Sequence, residues 1–338
     1  KILIVRNDKL GDFMLSYPTF ALLKKYLPDT QLHALVNRYT QPMAEICEYI
    51  DQIKIDPGPK CKTFDFIKFS SDIRKENYDA VITLFSTTRI GILTAISNIP
   101  YSLAPATKIA QIFYNHRLKQ RRSTSDKPEY VYNMDLAKQL LNELGIEVTS
   151  LPSPPYLQFN STEIKNLRDI FCSTHNIHSN IKLVFIHPGS GGSANNLPIS
   201  AYAELVHLIT SDKPWRPIIT AGPADIEQAK QLNNLISDLK PILYYSNSGL
   251  VNFAKHLAFA DVFISGSTGP LHIAGALDIP TAAFYTRRRS ATSIRWQTLN
   301  TPSHRLSFSP PEEAHEEDMY SINVYAAAEE ISSEFLLS

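Results

Sequence analysis

Short apolar runs alternate with longer stretches of helical periodicity along the chain. The first run, residues 1–6, is rich in β-branched side chains and predicts a buried parallel strand. The next stretch, residues 17–27, carries Pro18 in its first turn, where proline is tolerated because no amide hydrogen bond is lost. The first half continues with predicted strands at 31–37, 52–55 and 80–84 and predicted helices at 41–49, 64–76, 89–97 and 134–144. This order predicts a parallel sheet with helices on both faces.

The alternation stops once and then restarts. Gly145 closes the helix at 134–144, and the segment TSLPSPPYLQF that follows should break regular structure, so we place the boundary between domains 1–152 and 153–338 there. Beyond it, strands are predicted at 182–186, 217–221, 242–245, 262–265 and 281–285, and helices at 200–211, 225–239, 250–258, 270–277 and 326–337. The pattern predicts an α/β protein of two Rossmann-like domains whose parallel sheets face each other across a cleft. We expect the last helix to pack back on the first domain.

The composition fits two soluble domains and excludes several classes of protein. With 338 residues, 43% of them hydrophobic and 20% charged, the chain is too long for one ordinary core. The 33 basic and 33 acidic residues balance, which argues against a protein that coats nucleic acid. Cys47, Cys61 and Cys172 lack metal-ligand spacing and predict neither a disulfide framework nor a zinc site. No apolar run could span a bilayer and the start does not resemble a secretory signal, so we expect a cytoplasmic enzyme.

Two glycine loops follow predicted strands of the second domain. The loop in VFIHPGSGGSANNLPIS contains Gly189, Ser190, Gly191 and Gly192, and the loop in FISGSTGPLHIAGAL contains Gly266, Ser267, Thr268 and Gly269. Glycine leaves backbone amides open to the oxygens of a ligand, and the helix that follows offers further amides to a phosphate. Either loop alone could be a plain turn between a strand and a helix. Two of them in one domain indicate a diphosphate held between them.

Three side chains near predicted strand ends each have two interpretations. His272, in the first turn of a helix, could face a phosphate or the interior, and its place beside the Thr-Gly pair favours the phosphate. Asp225 follows a strand and could accept ribose hydroxyls or cap its helix. Asp12, in VRNDKLGDFMLSYP, could be a base that deprotonates an acceptor hydroxyl or the N-cap of the next helix. For Asp12, spacing alone favours capping.

Three blocks of the sequence resemble the lipopolysaccharide heptosyltransferases, which form glycosyltransferase family 9. The blocks are ILIVRNDKLGDFMLSYP, IHPGSGGSANNLP and ISGSTGPLHIAGALDIP, with weaker similarity in NYDAVITL and IFYN. The resemblance implies a GT-B fold and an inverting, metal-independent transfer of heptose from ADP-heptose. The donor is a substrate and no cofactor is implied. The acceptor would be the Kdo or heptose of the lipopolysaccharide inner core.

The resemblance also assigns roles to residues. The catalytic aspartate of the family falls on Asp12, which reverses the preference for capping. Its Thr-Gly-x-x-His motif falls on Thr268, Gly269 and His272, which would bind the diphosphate, and its ribose-binding acid falls on Asp225. The complete predicted donor site is Gly189, Ser190, Gly191, Asn195, Asp225, Ser267, Thr268, Gly269 and His272.

Two positions depart from the family pattern. Ser267 stands where the family usually has Asp, and Asn195 stands where many members carry a phosphate-binding Lys. Losing that cation would weaken donor binding by about 1.5–3 kcal/mol. Arg287, Arg288 and Arg289 could compensate, or they could form a solvated surface run.

A phosphorylated core sugar calls for cations on the acceptor side. The predicted acceptor-binding residues are Arg6, Lys9, Arg89, Lys108 and Arg117. The basic cluster at 115–122 is typical of a solvated face, but in an enzyme that acts on a glycolipid it could meet anionic headgroups. We therefore expect as partners a nucleotide sugar, a lipopolysaccharide core acceptor and the inner face of the inner membrane, and no nucleic acid.

Other classes of function fit the sequence less well. A sugar-nucleotide epimerase or hydrolase on the same scaffold would act on the donor without an acceptor. A degenerate family member that only binds a nucleotide or glycan is conceivable because of Ser267 and Asn195, although Asp12 is retained. An NAD-dependent oxidoreductase fits least, because neither domain opens with the expected glycine fingerprint.

Overall fold

The computed structural model describes residues 1–107, 109–191, 195–210, 213–245 and 247–336. The chain divides into two compact units, Lys1–Ser153 and Pro154–Ser338. The division falls in the Ser- and Pro-rich segment, one residue from the boundary expected from the sequence.

Unit 1 contains a six-stranded parallel sheet in the order β3-β2-β1-β4-β5-β6. Its strands are β1 (Ile2–Val5), β2 (Leu32–Val36), β3 (Gln52–Ile55), β4 (Ala80–Thr83), β5 (Tyr101–Pro105) and β6 (His116–Leu118). Its helices are α1 (Leu10–Met14), α2 (Tyr17–Tyr26), α3 (Gln41–Glu45), α4 (Thr63–Lys75), α5 (Thr88–Ile96) and α6 (Glu129–Glu143), with 3₁₀ helices at Ile109–Phe113 and Arg122–Thr124. Every residue of β1 is buried, because β1 lies between β2 and β4 with helices on both faces.

Unit 2 repeats this arrangement, in the order β12-β11-β10-β7-β8-β9. Its strands are β7 (Lys182–His187), β8 (Trp215–Ala221), β9 (Ile242–Tyr245), β10 (Val262–Gly266), β11 (Thr281–Phe284) and β12 (Arg305–Phe308). Its helices are α7 (Ser161–Thr174), α8 (Ile199–Thr210), α9 (Ile226–Leu235), α10 (Gly249–Leu257), α11 (Gly269–Ala276) and α12 (Val324–Ile331). Shorter helices lie at Ser237–Leu239, Pro302–His304, Met319–Ser321 and, as a π-helix, Ser332–Leu336.

In both sheets, the direction in which successive strands are added reverses at the centre. The chain builds outward from β1 to β3 on one side and from β4 to β6 on the other, and it does the same from β7 and β10 in unit 2. Ligands of such sheets bind beyond the carboxyl ends of the strands at this switch point. In unit 1 that is the end of β1 and β4, and in unit 2 the end of β7 and β10.

The structure differs from the sequence-based prediction at several elements. Asp12, considered as the N-cap of the next helix, lies inside the short helix α1, whose Leu10, Phe13 and Met14 are buried at helical spacing. The helix predicted at 134–144 begins earlier, at Glu129, and the helix predicted at 225–239 ends at Leu235 before a 3₁₀ turn. Within the described ranges, the strands and α-helices that were not predicted are α1, β5, β6, α7 and β12.

The C-terminal helix belongs to the core of unit 2. Ala327, Ala328 and Ile331 of α12 are buried in the same cluster as Tyr202 and Leu205 of α8, against which α12 packs. Among the described helices, none combines the length and the apolar character that a membrane span requires.

Candidate functional site

One buried arginine holds three carboxylates beyond the carboxyl end of β1. Arg6 is only 2% exposed. Its Nε lies 2.9 Å from Oδ1 of Asp8, one terminal nitrogen pairs with Asp12, and the other lies 3.0 Å from Oε1 of Glu129 on α6. The planar guanidinium fixes the direction of each of these contacts. Arg6 therefore positions Asp8 and Asp12.

The charge of Arg6 is secured by the same partners. Burial alone would lower the pKa of the guanidinium, but the charges of Asp8, Asp12 and Glu129 raise it well above its ordinary value. Glu129 also accepts from Arg122, at 2.7 Å, so this one carboxylate bridges two arginines. The predicted contact of Arg6 with an acceptor is not supported, because its guanidinium is buried and its donors are directed at protein carboxylates.

Asp12 lies inside a helix and does not cap it. It is the third residue of α1, whose N-cap position is occupied by Lys9, and no side chain caps the helix. The capping interpretation is therefore wrong. The side chain of Asp12 is 14% exposed, so a carboxylate oriented by Arg6 remains accessible to a hydroxyl group.

Asp8 is the second carboxylate on the same guanidinium. Burial raises its pKa to about 6, an effect that Arg6 partly offsets and that the charge of Asp12 increases. Because it contacts the same guanidinium, Asp8 is the natural comparison for any test of Asp12.

The other predicted acceptor residues differ in their surroundings. Arg89, at the start of α5, forms a bidentate ion pair with Asp56, which also accepts from Asn7. Lys9 and Arg117 are exposed. Lys108 lies outside the described residues.

In unit 2, Asp225 holds the loop that follows β7. Its Oδ1 accepts from the amides of Ser190 (3.1 Å) and Gly191 (2.9 Å). Gly189 packs so closely on this carboxylate that a Cβ there would lie 2.2 Å from Cγ of Asp225. Asp225 occupies the N-cap position of α9 without capping it through its side chain. The amides expected to bind phosphate at Ser190 and Gly191 thus donate to a protein carboxylate in this structure.

Asn196 joins the two glycine loops. Its Nδ2 donates to the carbonyls of Pro188 (2.8 Å) and Gly189 (3.0 Å), and its Oδ1 accepts from the hydroxyl of Tyr202 (2.7 Å). A Cβ on Gly266 would lie 2.3 Å from that same Oδ1. The predicted residue Asn195 is exposed, and its neighbour Asn196 is the one that organises the loops.

The second loop presents open amides at the start of α11. Thr268 is the N-cap and its hydroxyl accepts from the amide of Leu271 (3.4 Å). Within the described ranges, the amides of Ser267, Thr268 and Gly269 have no acceptor. Open amides at a helix N-terminus are suited to a phosphate.

His272 is buried in the first turn of α11. Burial lowers its pKa to about 4, so the ring is neutral at physiological pH. Its Nδ1 is buried and has no hydrogen-bond partner in the described part of the chain. A neutral ring with an open nitrogen can bind a ligand by hydrogen bonding but brings no positive charge of its own.

The buried His187 lies beside Asp225, the residue that holds the loop after β7. Its Nδ1 lies 3.0 Å from the hydroxyl oxygen of Thr220, and its Nε2 lies 3.7 Å from Oδ2 of Asp225. Burial lowers the pKa of His187 to about 4, against a smaller raising effect of Asp225.

The arginines after β11 are not simply a solvated run. The Arg287 side chain donates to the carbonyls of Glu312 (3.1 Å) and Ala314 (2.6 Å), and Arg288 lies 3.5 Å from a carboxylate oxygen of Glu317. Among the residues that the structure describes, no group of His, Cys, Asp and Glu could hold a metal ion.

Comparison with known proteins identifies the family. The sequence model of glycosyltransferase family 9 (heptosyltransferase) matches residues 66–318. The chain belongs to glycosyltransferase family 9. The match contains both glycine loops of unit 2 and begins after Asp12.

Individual known proteins are similar over nearly the whole chain. A protein of Haemophilus influenzae, provisionally named a glycosyltransferase, is 45% identical over 311 residues, which are 92% of this chain and 89% of that protein. Lipopolysaccharide heptosyltransferase 1 of Campylobacter coli is 24% identical over 321 residues, 91% of this chain and 86% of that protein. The structure of ADP-heptose lipopolysaccharide heptosyltransferase II of Escherichia coli matches with a TM-score of 0.80 at 16% identity, covering 100% of this chain and 99% of that one. The protein is a glycosyltransferase with a GT-B fold.

Four contributors to these sites were missed by the sequence analysis. Asp8 lies four residues before the predicted Asp12, and Asn196 is the neighbour of the predicted Asn195. Glu129 and His187 carry no sequence signal, because their partners lie far along the chain.

Proposed function

We propose that this glycosyltransferase moves a heptose from ADP-heptose to the Kdo or heptose of the lipopolysaccharide inner core, with inversion at the anomeric carbon. The observation that carries the proposal is the N-terminus of α11, where the open amides of Ser267, Thr268 and Gly269 adjoin the unpartnered ring of His272. This arrangement suits a diphosphate. The heptose and the acceptor are supported by the names of the Campylobacter coli and Escherichia coli relatives.

In the proposed reaction Asp12 accepts the proton of an acceptor hydroxyl. The resulting oxygen forms a bond to the anomeric carbon from the side opposite the diphosphate, and the bond from that carbon to the phosphate oxygen breaks. The electron pair leaves with ADP. The open amides of α11 are already directed at the developing charge, so they stabilise it without reorganisation. We propose that no metal ion or cofactor is needed, because these amides supply the positive potential.

The remaining donor contacts follow from the hydrogen bonds of Asp225. Its Oδ1 is engaged by the loop amides of Ser190 and Gly191, and Oδ2 is the atom we assign to the ribose hydroxyls. The donor contact predicted for Asn195 is assigned instead to the loop after β7, whose carbonyls at Pro188 and Gly189 accept from Asn196. Because the acceptor is a glycolipid, we place the enzyme in the cytoplasm at the inner face of the inner membrane.

A nucleotide panel tests the donor assignment. ADP, UDP and GDP are added to the purified chain at equal concentration and the melting temperature is measured. A ligand of the folded state stabilises by RT ln(1 + [L]/Kd), so ADP should give the largest increase. A larger increase with UDP or GDP would contradict an ADP-linked donor.

Incubating ADP-heptose with the enzyme and no acceptor separates transfer from other reactions. We expect the sugar nucleotide to survive essentially unchanged. An epimerised heptose, or free heptose released at the rate of turnover, would replace the proposal with an epimerase or hydrolase.

A further inference from the structure

Unit 1 exposes six large apolar side chains on neighbouring helices. They lie on α4, α5 and the 3₁₀ helix Ile109–Phe113, and α5 packs against both of the others. The residues and their exposed fractions are Phe64 (75%), Ile67 (58%), Ile92 (36%), Ile96 (45%), Ile109 (69%) and Ile112 (64%), which we call the apolar face. Each of the three helices carries two of these residues, three or four positions apart, so the two lie on the same side of their helix. Groups of exposed apolar side chains mark interaction sites in soluble proteins.

A row of cations lies on the same side of the sheet. Helix α2 connects β1 to β2 on one side of the centre, and α5 connects β4 to β5 on the other side. Because both crossovers are right-handed, α2 and α5 lie on opposite faces of the sheet. Helix α6 packs against α2 and therefore lies on the α2 face. His116 of β6 is directed to the α6 face, where it lies 3.0 Å from Glu143. Its neighbour Arg117 therefore points to the face of α5. Lys119 and Arg121 continue the alternation as exposed residues, and Gln120 between them is buried.

The stretch of sequence that contains this row has no acidic residue. Residues 80–125 contain no Asp or Glu, although the chain has 33 acidic residues. Across the described ranges, Arg117, Lys119 and Arg121, which we call the basic row, form no ion pair. Two other members of the basic cluster, His116 and Arg122, bond to Glu143 and Glu129 instead.

We propose that the apolar face and the basic row together dock unit 1 on an anionic lipid surface. Exposed isoleucines can enter the boundary between headgroups and acyl chains, while the adjacent cations pair with anionic headgroups. Nucleic acid would use the cations but would leave the isoleucines exposed to water. The complementary charge and the apolar side chains therefore specify a lipid surface.

The docking surface adjoins the predicted acceptor site. The loop of Asp12 follows β1, α5 follows the adjacent strand β4, and Arg89 of α5 is linked through Asp56 to Asn7 of that loop. A docked unit 1 would thus hold Asp12 near the membrane surface, where a glycolipid presents its sugars. This role in acceptor delivery rests on the proposed function, whereas the docking itself does not.

Vesicle flotation tests the docking without any substrate. The full chain is mixed with vesicles of phosphatidylcholine alone or of phosphatidylcholine with phosphatidylglycerol. We expect binding to the anionic vesicles only, weakened by salt. The combined change Arg117→Gln, Lys119→Gln and Arg121→Gln should weaken it about a hundredfold, because each cation near an anionic leaflet strengthens binding about fivefold. The matched control Lys165→Gln, Lys213→Gln and Lys230→Gln removes three exposed charges from unit 2 and should change little.

The apolar part has its own variant. Ile109→Ser with Ile112→Ser should reduce vesicle binding at least tenfold, while Ile170→Ser with Leu235→Ser, which removes two exposed apolar side chains of unit 2, should not.

Absence of anionic-vesicle binding, equal binding to both vesicle types, or wild-type binding by the basic-row variant would overturn the proposal. A dimer in solution that the Ile109→Ser, Ile112→Ser change dissociates, without vesicle binding, would assign the face to self-association. Loss of vesicle binding by the Ile109→Ser, Ile112→Ser variant, with retained transfer to a delipidated acceptor, would support docking and leave the proposed function intact.

Discussion

Asp8 and Asp12 both pair with the guanidinium of Arg6. They differ in position, because Asp12 lies inside α1 and Asp8 precedes it. The two residues thus form a matched pair in which only one is proposed to touch the acceptor hydroxyl.

Asp12→Asn should lower the rate of transfer by roughly 10²–10⁴-fold, the usual contribution of a positioned base. The amide can still accept a hydrogen bond from Arg6, so the fold and the affinity for nucleotide should not change. Asp8→Asn should lower transfer much less. The measurement is the initial rate of ADP release with acceptor present, together with nucleotide affinity. Loss of transfer in Asp8→Asn with normal turnover in Asp12→Asn would move the base to Asp8.

His272 makes unit 2 sensitive to acid. Burial holds its pKa at about 4, whereas in the unfolded chain it returns to the ordinary value of 6.5. Between these values the unfolded chain binds a proton that the folded chain does not, so stability falls as pH decreases from about 6.5 to 4.

His272→Gln removes this contribution while keeping a polar side chain. Between pH 6.5 and 4 its unfolding free energy should fall less than that of the wild type, by on the order of 2–3 kcal/mol. Both tryptophans, Trp215 and Trp296, lie in unit 2, so tryptophan fluorescence during denaturant unfolding follows this unit alone. Asp8, whose pKa shifts in the opposite direction, lies in unit 1. Parallel curves for the two proteins would show that His272 is not buried as a neutral ring.

Individual residues were predictable from sequence only where a motif carried them. Asp12 was assigned by family resemblance against its spacing, which favoured a cap. Glu129 could not be found, because a lone acidic residue has no periodicity and its partner Arg6 is distant in sequence. Arg6 was recognised as a functional candidate, but its ion pairs with Asp8, Asp12 and Glu129 were not predicted, because burial of a charged side chain depends on partners that the sequence does not reveal.

At the level of loops and helices, glycines serve the packing of the protein as much as the approach of a ligand. Gly189 makes room for Asp225 and Gly266 makes room for Asn196. The two loops are consequently held in place before any donor binds, which reduces the ordering that a diphosphate must impose.

Gly189→Ala should disrupt the contact of Asp225 with the loop, since the new Cβ would lie 2.2 Å from Cγ of that carboxylate. We expect a loss of about 1–3 kcal/mol in stability and weaker ADP binding. Gly222→Ala is the matched control, because its Cβ would be at an ordinary 3.7 Å from Oδ2 of Asp225. Calorimetry of ADP binding and denaturant unfolding measure both effects. Equal behaviour of the two variants would show that the close approach at Gly189 is unimportant.

Secondary structure was predictable where the apolar pattern was long. The central strands β1, β4, β7 and β10 were found because burial on both faces makes them continuous apolar runs. The edge strands β6 and β12 were missed, since they are short and partly exposed and therefore lack that signal. The early start of α6 was missed because Glu129, its first residue, is an acid buried by ion pairs.

For the whole molecule, two sheets of identical strand order explain why the same alternation of apolar strands and amphipathic helices occurs twice along the chain. Each sheet has its own switch point, and chemically different residues occupy the two: carboxylates on an arginine in unit 1, open amides and a histidine in unit 2. A base and a diphosphate site are what an inverting sugar transfer requires. The repetition of the fold was readable from sequence, whereas the division of chemical roles needed the family motifs and the structure.

The central claim is that this chain joins a heptose from ADP-heptose to a lipopolysaccharide core sugar. It is tested most directly by incubating the wild-type chain with ADP-heptose and a purified inner-core acceptor and analysing the acceptor by mass spectrometry and NMR. We expect an acceptor that has gained one heptose, with the anomeric configuration opposite to that of the donor and one ADP released per product. An unmodified acceptor with ADP-heptose, or a product with retained configuration, would contradict it.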